Sequence, residues 1–315
     1  MPTYNYGRYI ATALESIRSQ SDARTEVLVL DGGSTDETPA IVGAMAQDWP
    51  GLRYVRQAER GGIDADMARS VELARGEYCW LLSADDALQP GALERLLQEF
   101  EAGHDIVLCN RLWCDDRLAP LRAHAWLIHA GDASFDFADR SQALAYFNAA
   151  QSLGALFSFM SCIGFKRATW MRTAAPAAIP NYTHAGRLFR MAHEGARLRY
   201  VSAPLVLCRG GMDSFRTGGF AGRLLIDLRG YRQLADTLFR DDPGAKAACL
   251  GVMRREHPLR RWFNARLQTP NRAQWAEVEG ELRRYGFGRG ELYMVRNSRP
   301  LGKILTLMHR ITQAR

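Results

Sequence analysis

Apolar positions in the first hundred residues switch between a helical and a strand period. Ile10, Leu14 and Ile17 recur at i, i+4 and i+7 after Gly7, the stripe of an amphipathic helix. Glu26-Val27-Leu28-Val29-Leu30 is an apolar run of strand length that stops at Asp31-Gly32-Gly33. Ser34-Thr35-Asp36-Glu37 has the form of a capping box and predicts a helix through about Ala46. Leu52 to Val55 reads as a strand, and Asp64 to Ala74 as a helix stopped by Gly76. Tyr78 to Leu82 is a second apolar strand, running into Ser83-Ala84-Asp85-Asp86. Pro90-Gly91 opens a helix to about Glu101, and Ile106 to Cys109 is the next strand. Continuous apolar strands separated by helices predict an α/β fold, a mostly parallel sheet flanked by helices.

The pattern loosens between 110 and 215. Helices are predicted over Asp139 to about Gln151 and Arg187 to His193, and Leu198 to Cys208 reads as a bent strand or strand pair broken at Pro204. From Phe220 onward only helix signals remain. At 315 residues the chain is long enough for two domains, or one with an appendage, without disulfides or structural metal. No apolar run reaches the ~18 residues of a membrane span, and Met1-Pro2-Thr3-Tyr4-Asn5 has no secretion-signal character, so a cytoplasmic protein is expected. The six cysteines form no CxxC pair and read as buried reduced thiols rather than a zinc site.

Charge changes this picture by its placement. Residues 1–215 hold 21 basic and 25 acidic residues, a balance of −4, whereas residues 216–315 hold 20 and 9, a balance of +11. A basic segment of this kind suits an anionic partner, or is a solvated arginine-rich surface. Arg254-Arg255, Arg260-Arg261-Trp262-Phe263 and Arg283-Arg284-Tyr285 set arginines beside aromatics, as at a membrane interface or on nucleic acid. The plain alternative is a packed helical cap.

Open parallel sheets bind ligands at the carboxyl ends of their strands. Two such ends carry unusual chemistry here. Asp31-Gly32-Gly33-Ser34 precedes a helix start, where backbone approaches a ligand and anions are favoured, although a tight strand-to-helix turn would use the same residues. Asp85-Asp86 places two like charges together, which suits a hard divalent cation shared with substrate phosphates; the alternative is a turn before Pro90.

Taken in order, Pro2-Thr3-Tyr4-Asn5, Asp31-Gly-Gly-Ser-Thr-Asp36, Ala74-Arg-Gly-Glu-Tyr78 and Ala84-Asp-Asp86 resemble the family 2 glycosyltransferases of the GT-A fold. Gly61-Gly62-Ile63-Asp64-Ala65-Asp66 and Glu77 to Leu82 look most like the abequosyltransferase-type branch, which adds deoxyhexoses to bacterial surface polysaccharide, O-antigen among it. The resemblance implies a GT-A domain with a nucleotide-sugar-binding half over 1–110 and an acceptor-binding half over 111–215, followed by a basic helical extension over 216–315. It implies that Thr3, Tyr4, Asp31 and Asp85 line the nucleotide. It also implies that Asp86, with Asp85, holds Mg²⁺ or Mn²⁺ in a DxD-like motif. The chain departs from the family pattern in three places. A second aspartate after the second strand is replaced by Gly32. The apolar strand that precedes Pro-Thr-Tyr-Asn in relatives is missing, so the native start is expected upstream of Met1. The acidic general base expected before the Arg187 helix is replaced by His184, with Asp213 as the competing carboxylate.

The resulting expectation is an inverting, peripheral-membrane transferase that takes a nucleotide-sugar donor and a saccharide or lipid-linked acceptor. Its rivals are a non-catalytic nucleotide-sugar-binding relative and a nucleic-acid-binding protein acting through the tail. A nucleic-acid role would survive loss of Asp85 and Asp86; a transferase would not.

Overall fold

The computed structural model describes residues 1–174, 180–211 and 219–297. The chain divides into two compact units, Met1–Met212 and Asp213–Arg315. In the first, strand β1 (Pro2–Thr3) leads into helix α1 (Gly7–Arg18), whose Ile10, Leu14 and Ile17 are all buried. Strand β2 (Val27–Asp31) is buried at every position, as its unbroken apolar run predicts. Helix α2 (Thr38–Gln47), strand β3 (Leu52–Arg56) and helix α3 (Ile63–Leu73) follow. Strands β1, β2 and β3 form a parallel sheet in that order, with Pro2 opposite Leu30 and Leu30 opposite Val55.

The capping box is not formed. Ser34 Oγ accepts from the Asn5 N–H at 2.9 Å, and α2 opens only at Thr38. The Asp36 carboxylate instead accepts from the Gly7 N–H (2.8 Å) and the Thr38 N–H (3.0 Å), tying the start of α1 to the start of α2. A Cβ at position 7 would lie 3.0 Å from the Thr38 nitrogen, so only glycine lets the two helix starts approach this closely.

The second sheet is built from strands β4 (Tyr78–Trp80), β5 (Ala87–Leu88), β6 (Ile106–Cys114), β7 (Pro120–His124), β8 (Ala133–Asp136), β9 (Ile163–Lys166) and β10 (Arg197–Cys208). Helices α4 (Ala92–Glu101), α5 (Arg140–Ala149), α6 (Arg167–Arg172) and α7 (Thr183–His193) alternate with them. The central order is β4-β9-β6-β10-β5, with β7 on β6 and β8 on β10. The mostly parallel pairing expected from the sequence holds in the first sheet and between β6 and β10; every other pair in the second sheet is antiparallel. The bend expected at Pro204 is present as a register shift between Val201 and Val206. Proline cannot donate to the ladder, so the chain kinks there instead of ending.

A cavity of about 350 Å³ lies between β2 and β4, lined by Val27, Leu28, Cys79, Trp80, Leu96 and Phe100. The Met1 amine lies on its wall and donates to the Leu28 carbonyl at 2.8 Å. None of the site residues named above lines it.

The second unit is helical: α8 (Gly219–Leu238), α9 (Pro243–Glu256), α10 (Leu259–Gln268), α11 (Arg272–Arg284) and α12 (Arg289–Arg296). Two aromatics that the arginine-rich pattern would send to a membrane boundary pack inside it. Trp262 is fully buried, and Tyr285, also buried, donates its hydroxyl to the Leu228 carbonyl at 2.8 Å. Arg229 pairs with Glu277 and Glu281, Arg232 with Asp236 and Glu281, Arg254 with Glu291, and Arg296 with Glu279. These pairs fix four of the tail's arginines within the unit, while its net balance stays at +11. Among the described residues no helix is long and apolar enough to cross a membrane, and all six cysteines are free thiols, five of them buried.

Candidate active site

The predicted site residues form two groups, one at the carboxyl ends of β1 and β2 and one after β4, and Arg209, bonded to the Asp85 carbonyl and stacked over Tyr9 of α1, links the second group to the helix that follows β1. Thr3 is buried, and its Oγ has no partner among the described residues. Its carbonyl accepts from the Gly32 N–H at 2.9 Å. The Tyr4 ring is half-buried under the Arg60 guanidinium, 4.2 Å from the ring centroid. Asp31 is completely buried: Oδ1 accepts from the Ser34 N–H (2.7 Å) and Oδ2 from the Tyr54 hydroxyl (2.6 Å). This carboxylate fixes the Gly32–Ser34 turn. Burial and Asp31 together push the Tyr54 hydroxyl well above the ordinary tyrosine range.

Asp85 and Asp86 are both buried where the chain leaves β4. Asp86 Oδ2 accepts from Ser161 Oγ at 2.6 Å, and Oδ1 accepts from the Arg209 N–H at 3.1 Å. Asp85 Oδ1 accepts from the Ser83 hydroxyl. Desolvation by burial, then the neighbouring Asp85 charge, pushes the Asp86 carboxyl up to about 7; the Ser161 and Arg209 bonds and the Arg111 charge oppose this only in part. Burial also raises Asp85. Two carboxylates held against both burial and each other fit a hard divalent cation, whose charge would offset both penalties. Among the described residues no three metal-ligating side chains are grouped, so phosphate and water oxygens would complete the shell.

Three residues with no local sequence signal complete this corner. Arg209 donates through Nε to the Asp85 carbonyl (2.9 Å) and through a guanidinium nitrogen to the Asp116 carbonyl, and it stacks over Tyr9 at 4.7 Å. Ser161 bridges Asp86 to the Ser83 N–H (3.0 Å). Arg111 lies against Phe159 (4.1 Å), Trp126 (4.8 Å) and Trp113 (5.1 Å). These residues are distant in sequence from Asp86, and only the pairing of β4, β6, β9 and β10 brings them together.

His184 lies in the first turn of α7, which starts four residues before its predicted onset at Arg187. The early start has a cause: Asp64, on α3, accepts from the Asn181 N–H (2.7 Å) and the Thr183 N–H (3.1 Å), capping α7 from outside. His184 is buried and pairs through Nε2 with the Phe157 carbonyl at 3.0 Å. A carbonyl only accepts, so Nε2 carries the proton and Nδ1 is left with a lone pair and no partner among the described residues. Burial lowers its pKa to about 4, so the ring is neutral at working pH. Phe157 and Ser161 are four residues apart, so one short segment contacts His184 at one end and Asp86 at the other. Asp213 lies outside the described residues.

Comparison with known proteins gives this geometry a family. Residues 1–163 match the model of glycosyl transferase family 2. The chain is 31% identical to the abequosyltransferase RfbV of Salmonella typhimurium LT2 over 265 residues, covering 82% of this chain and 80% of that protein. The structure of Staphylococcus aureus TarS residues 1–349 in complex with UDP aligns at a TM-score of 0.63 and 13% identity, covering 96% of this chain and 90% of that one. The Pyrobaculum calidifontis mannosyltransferase PcManGT, solved with GDP-Man and Mn²⁺, aligns at 0.54 and 19% identity over 94% of this chain and 81% of that one. With two buried acids after β4, and with Thr3, Tyr4 and Asp31 at the ends of β1 and β2, the chain belongs to glycosyltransferase family 2, with a GT-A fold and a nucleotide-sugar donor.

Proposed function

We propose that the protein is an inverting transferase that moves a sugar, of the deoxyhexose class, from a nucleotide-sugar to a hydroxyl of a saccharide or lipid-linked saccharide in surface polysaccharide synthesis. The observation that carries this reading is the buried Asp85–Asp86 pair that follows β4. The 82% of the chain that is similar to an abequosyltransferase supports the sugar class.

In this reading Tyr4 supports the base, and the Asp31-held turn and Asp85 support the ribose and diphosphate. A divalent cation held by Asp85 and Asp86 supplies, when bound, charge neutralisation for the departing diphosphate. The acceptor oxygen loses its proton to His184 or Asp213 and forms the new bond at the anomeric carbon. The bond from that carbon to the phosphate oxygen breaks, and the diphosphate leaves with the electron pair. Attack from the face opposite the leaving group inverts the centre. The Nδ1 lone pair of His184 is unpartnered, which suits a proton acceptor, while its depressed pKa makes it a weak one. A lipid-linked acceptor suits a protein that docks on an anionic surface through exposed Arg260, Arg283 and Arg289 of the second unit.

The test is turnover of a panel of nucleotide-sugars with a lipid-linked saccharide acceptor, with the product's anomeric configuration read by NMR. Inversion, with Asp86→Ala inactive, is expected. A product of retained configuration, or full turnover by Asp86→Ala, would overturn the proposal. His184→Gln and Asp213→Asn then separate the two bases, since only the true one should lose most of kcat.

A further inference from the structure

Asp66 is a buried carboxylate that the reading above does not use. It lies in the first turn of α3, and its Oδ1 accepts from the Gln57 amide at 2.6 Å. Its other oxygen, Oδ2, meets no donor among the described residues. The direction in which it points is given by Gly32. A Cβ built on Gly32 would lie 3.1 Å from Asp66 Oδ2, 3.6 Å from the Thr3 carbonyl oxygen and 3.8 Å from Arg60 Cγ. Arg60 in turn covers the Tyr4 ring. The absent side chain at 32 leaves a space, and the carboxylate of Asp66 enters it from the opposite wall. A Cβ on Gly61 would meet Asp66 Oδ1 at 2.6 Å, so the glycine pair is also what lets this carboxylate sit so near the loop. Gln57 holds one oxygen, and through its own N–H to the Asp31 carbonyl (2.8 Å) it ties Asp66 to the end of β2.

We infer that Asp66 Oδ2 reads the donor's nucleobase by accepting a hydrogen bond from an N–H on the base edge. A carboxylate without a proton offers acceptors only, so it favours a ring imide N–H or an exocyclic amino group and rejects a base edge presenting a lone pair there. A buried polar group left unpaired is costly, which turns one hydrogen bond into discrimination between bases. The inference rests on the nucleotide lying against Thr3, Tyr4 and Asp31, as proposed above.

The experiment titrates the full chain with UDP, CDP, GDP and ADP in the presence of Mn²⁺. The preferred nucleotide is then repeated with its base N–H blocked by methylation: N3 for uracil, N4,N4-dimethyl for cytosine, N1 or N2,N2-dimethyl for guanine and N6,N6-dimethyl for adenine. These arms identify which N–H is read. Loss of a charge-assisted bond at a buried site predicts about tenfold weaker binding of the methylated nucleotide by the wild-type protein. Asp66→Ala should bind the natural nucleotide about tenfold more weakly and should no longer distinguish it from the methylated one. Gly32→Asp added to Asp66→Ala restores a carboxylate to the same space and should recover the preference, which a merely structural role of Asp66 would not allow. Circular dichroism confirms that each variant is folded. Should Asp66→Ala misfold, Asp66→Asn keeps the bond to Gln57 and should still lose the base ranking. A wild-type protein that binds no nucleotide would overturn the functional reading itself. Clear base preference kept by both Asp66 variants would overturn this inference alone.

Discussion

At the scale of single residues the protein maintains two ionisable groups against their solution preference. Asp86 is pushed up to about 7 by burial and then by Asp85. An acid whose folded pKa exceeds its unfolded value binds more protons folded than unfolded between those values, so the metal-free protein loses stability as pH rises from about 4 to about 7. Asp86→Asn, which keeps an acceptor for the Arg209 N–H, should therefore raise the melting temperature at pH 8 and leave it nearly unchanged at pH 5; an unchanged value at pH 8 would count against the account. His184 shifts the opposite way, lowered to about 4 by burial. Here the unfolded chain binds more protons between about 6.5 and 4, so the stability present above pH 6.5 is lost as pH falls through that window. His184→Gln, whose amide can still donate to the Phe157 carbonyl, should flatten that acid limb in melting curves taken from pH 7 to pH 4.5. The sequence marked Asp86 and His184 as chemistry, but their shifts come from burial and, at Asp86, from the Asp85 charge, while Ser161, Arg209 and Phe157 oppose them, and the packing that buries both groups is encoded by no spacing along the chain.

At the scale of elements, the site depends on interlocked turns and caps. Asp64 caps α7 from a different helix, and replacing it with alanine should cost ~1 kcal/mol in denaturant unfolding and loosen the turn that carries His184. Gly154 faces the Trp126 ring so closely that a Cβ would come within 2.1 Å. Gly154→Ala should destabilise by about 1–3 kcal/mol, since the Trp126 indole, which donates to the Cys109 carbonyl at 2.6 Å and supports Arg111, has to move. Elements with long, uniform patterns were legible from sequence: the α1 stripe and the β2 run lie where the apolar pattern put them, α4 follows Pro90-Gly91, and the described residues after Phe220 are helical as their signals imply. Those that escaped detection are short or set by distant partners. Strand β9 has four residues and is defined by its neighbours β4 and β6. Helix α2 starts at Thr38 because Ser34 is taken up by Asn5. Strand β4 ends at Trp80, although Leu81 and Leu82 are buried, because the chain turns there to present Asp85 and Asp86.

At the scale of the whole molecule, charge and chemistry occupy different parts of the chain. The +11 balance over residues 216–315 is visible in the sequence, while the pairing of some of its basic residues with Asp236, Glu277, Glu279, Glu281 and Glu291 is visible only in the fold and leaves that balance unchanged. The proposed membrane docking would rest on the exposed arginines, each contributing on the order of 1 kcal/mol at an anionic surface and screened within about 8 Å at physiological salt. Co-sedimentation with anionic vesicles should fall steeply as salt rises, and should fall again when Arg260, Arg283 and Arg289 become glutamine. Sedimentation equal on neutral and anionic vesicles, or a nucleic-acid shift in its place, would count against a membrane role. The central claim, however, concerns the acids after β4, and it needs no acceptor to be tested. Isothermal titration of the wild-type protein and Asp86→Ala with the preferred nucleoside diphosphate, with and without Mn²⁺, addresses it most directly. Mn²⁺ is expected to strengthen binding to the wild-type protein and to have no effect on Asp86→Ala. Binding that is independent of Mn²⁺ and equal in the two proteins would contradict it.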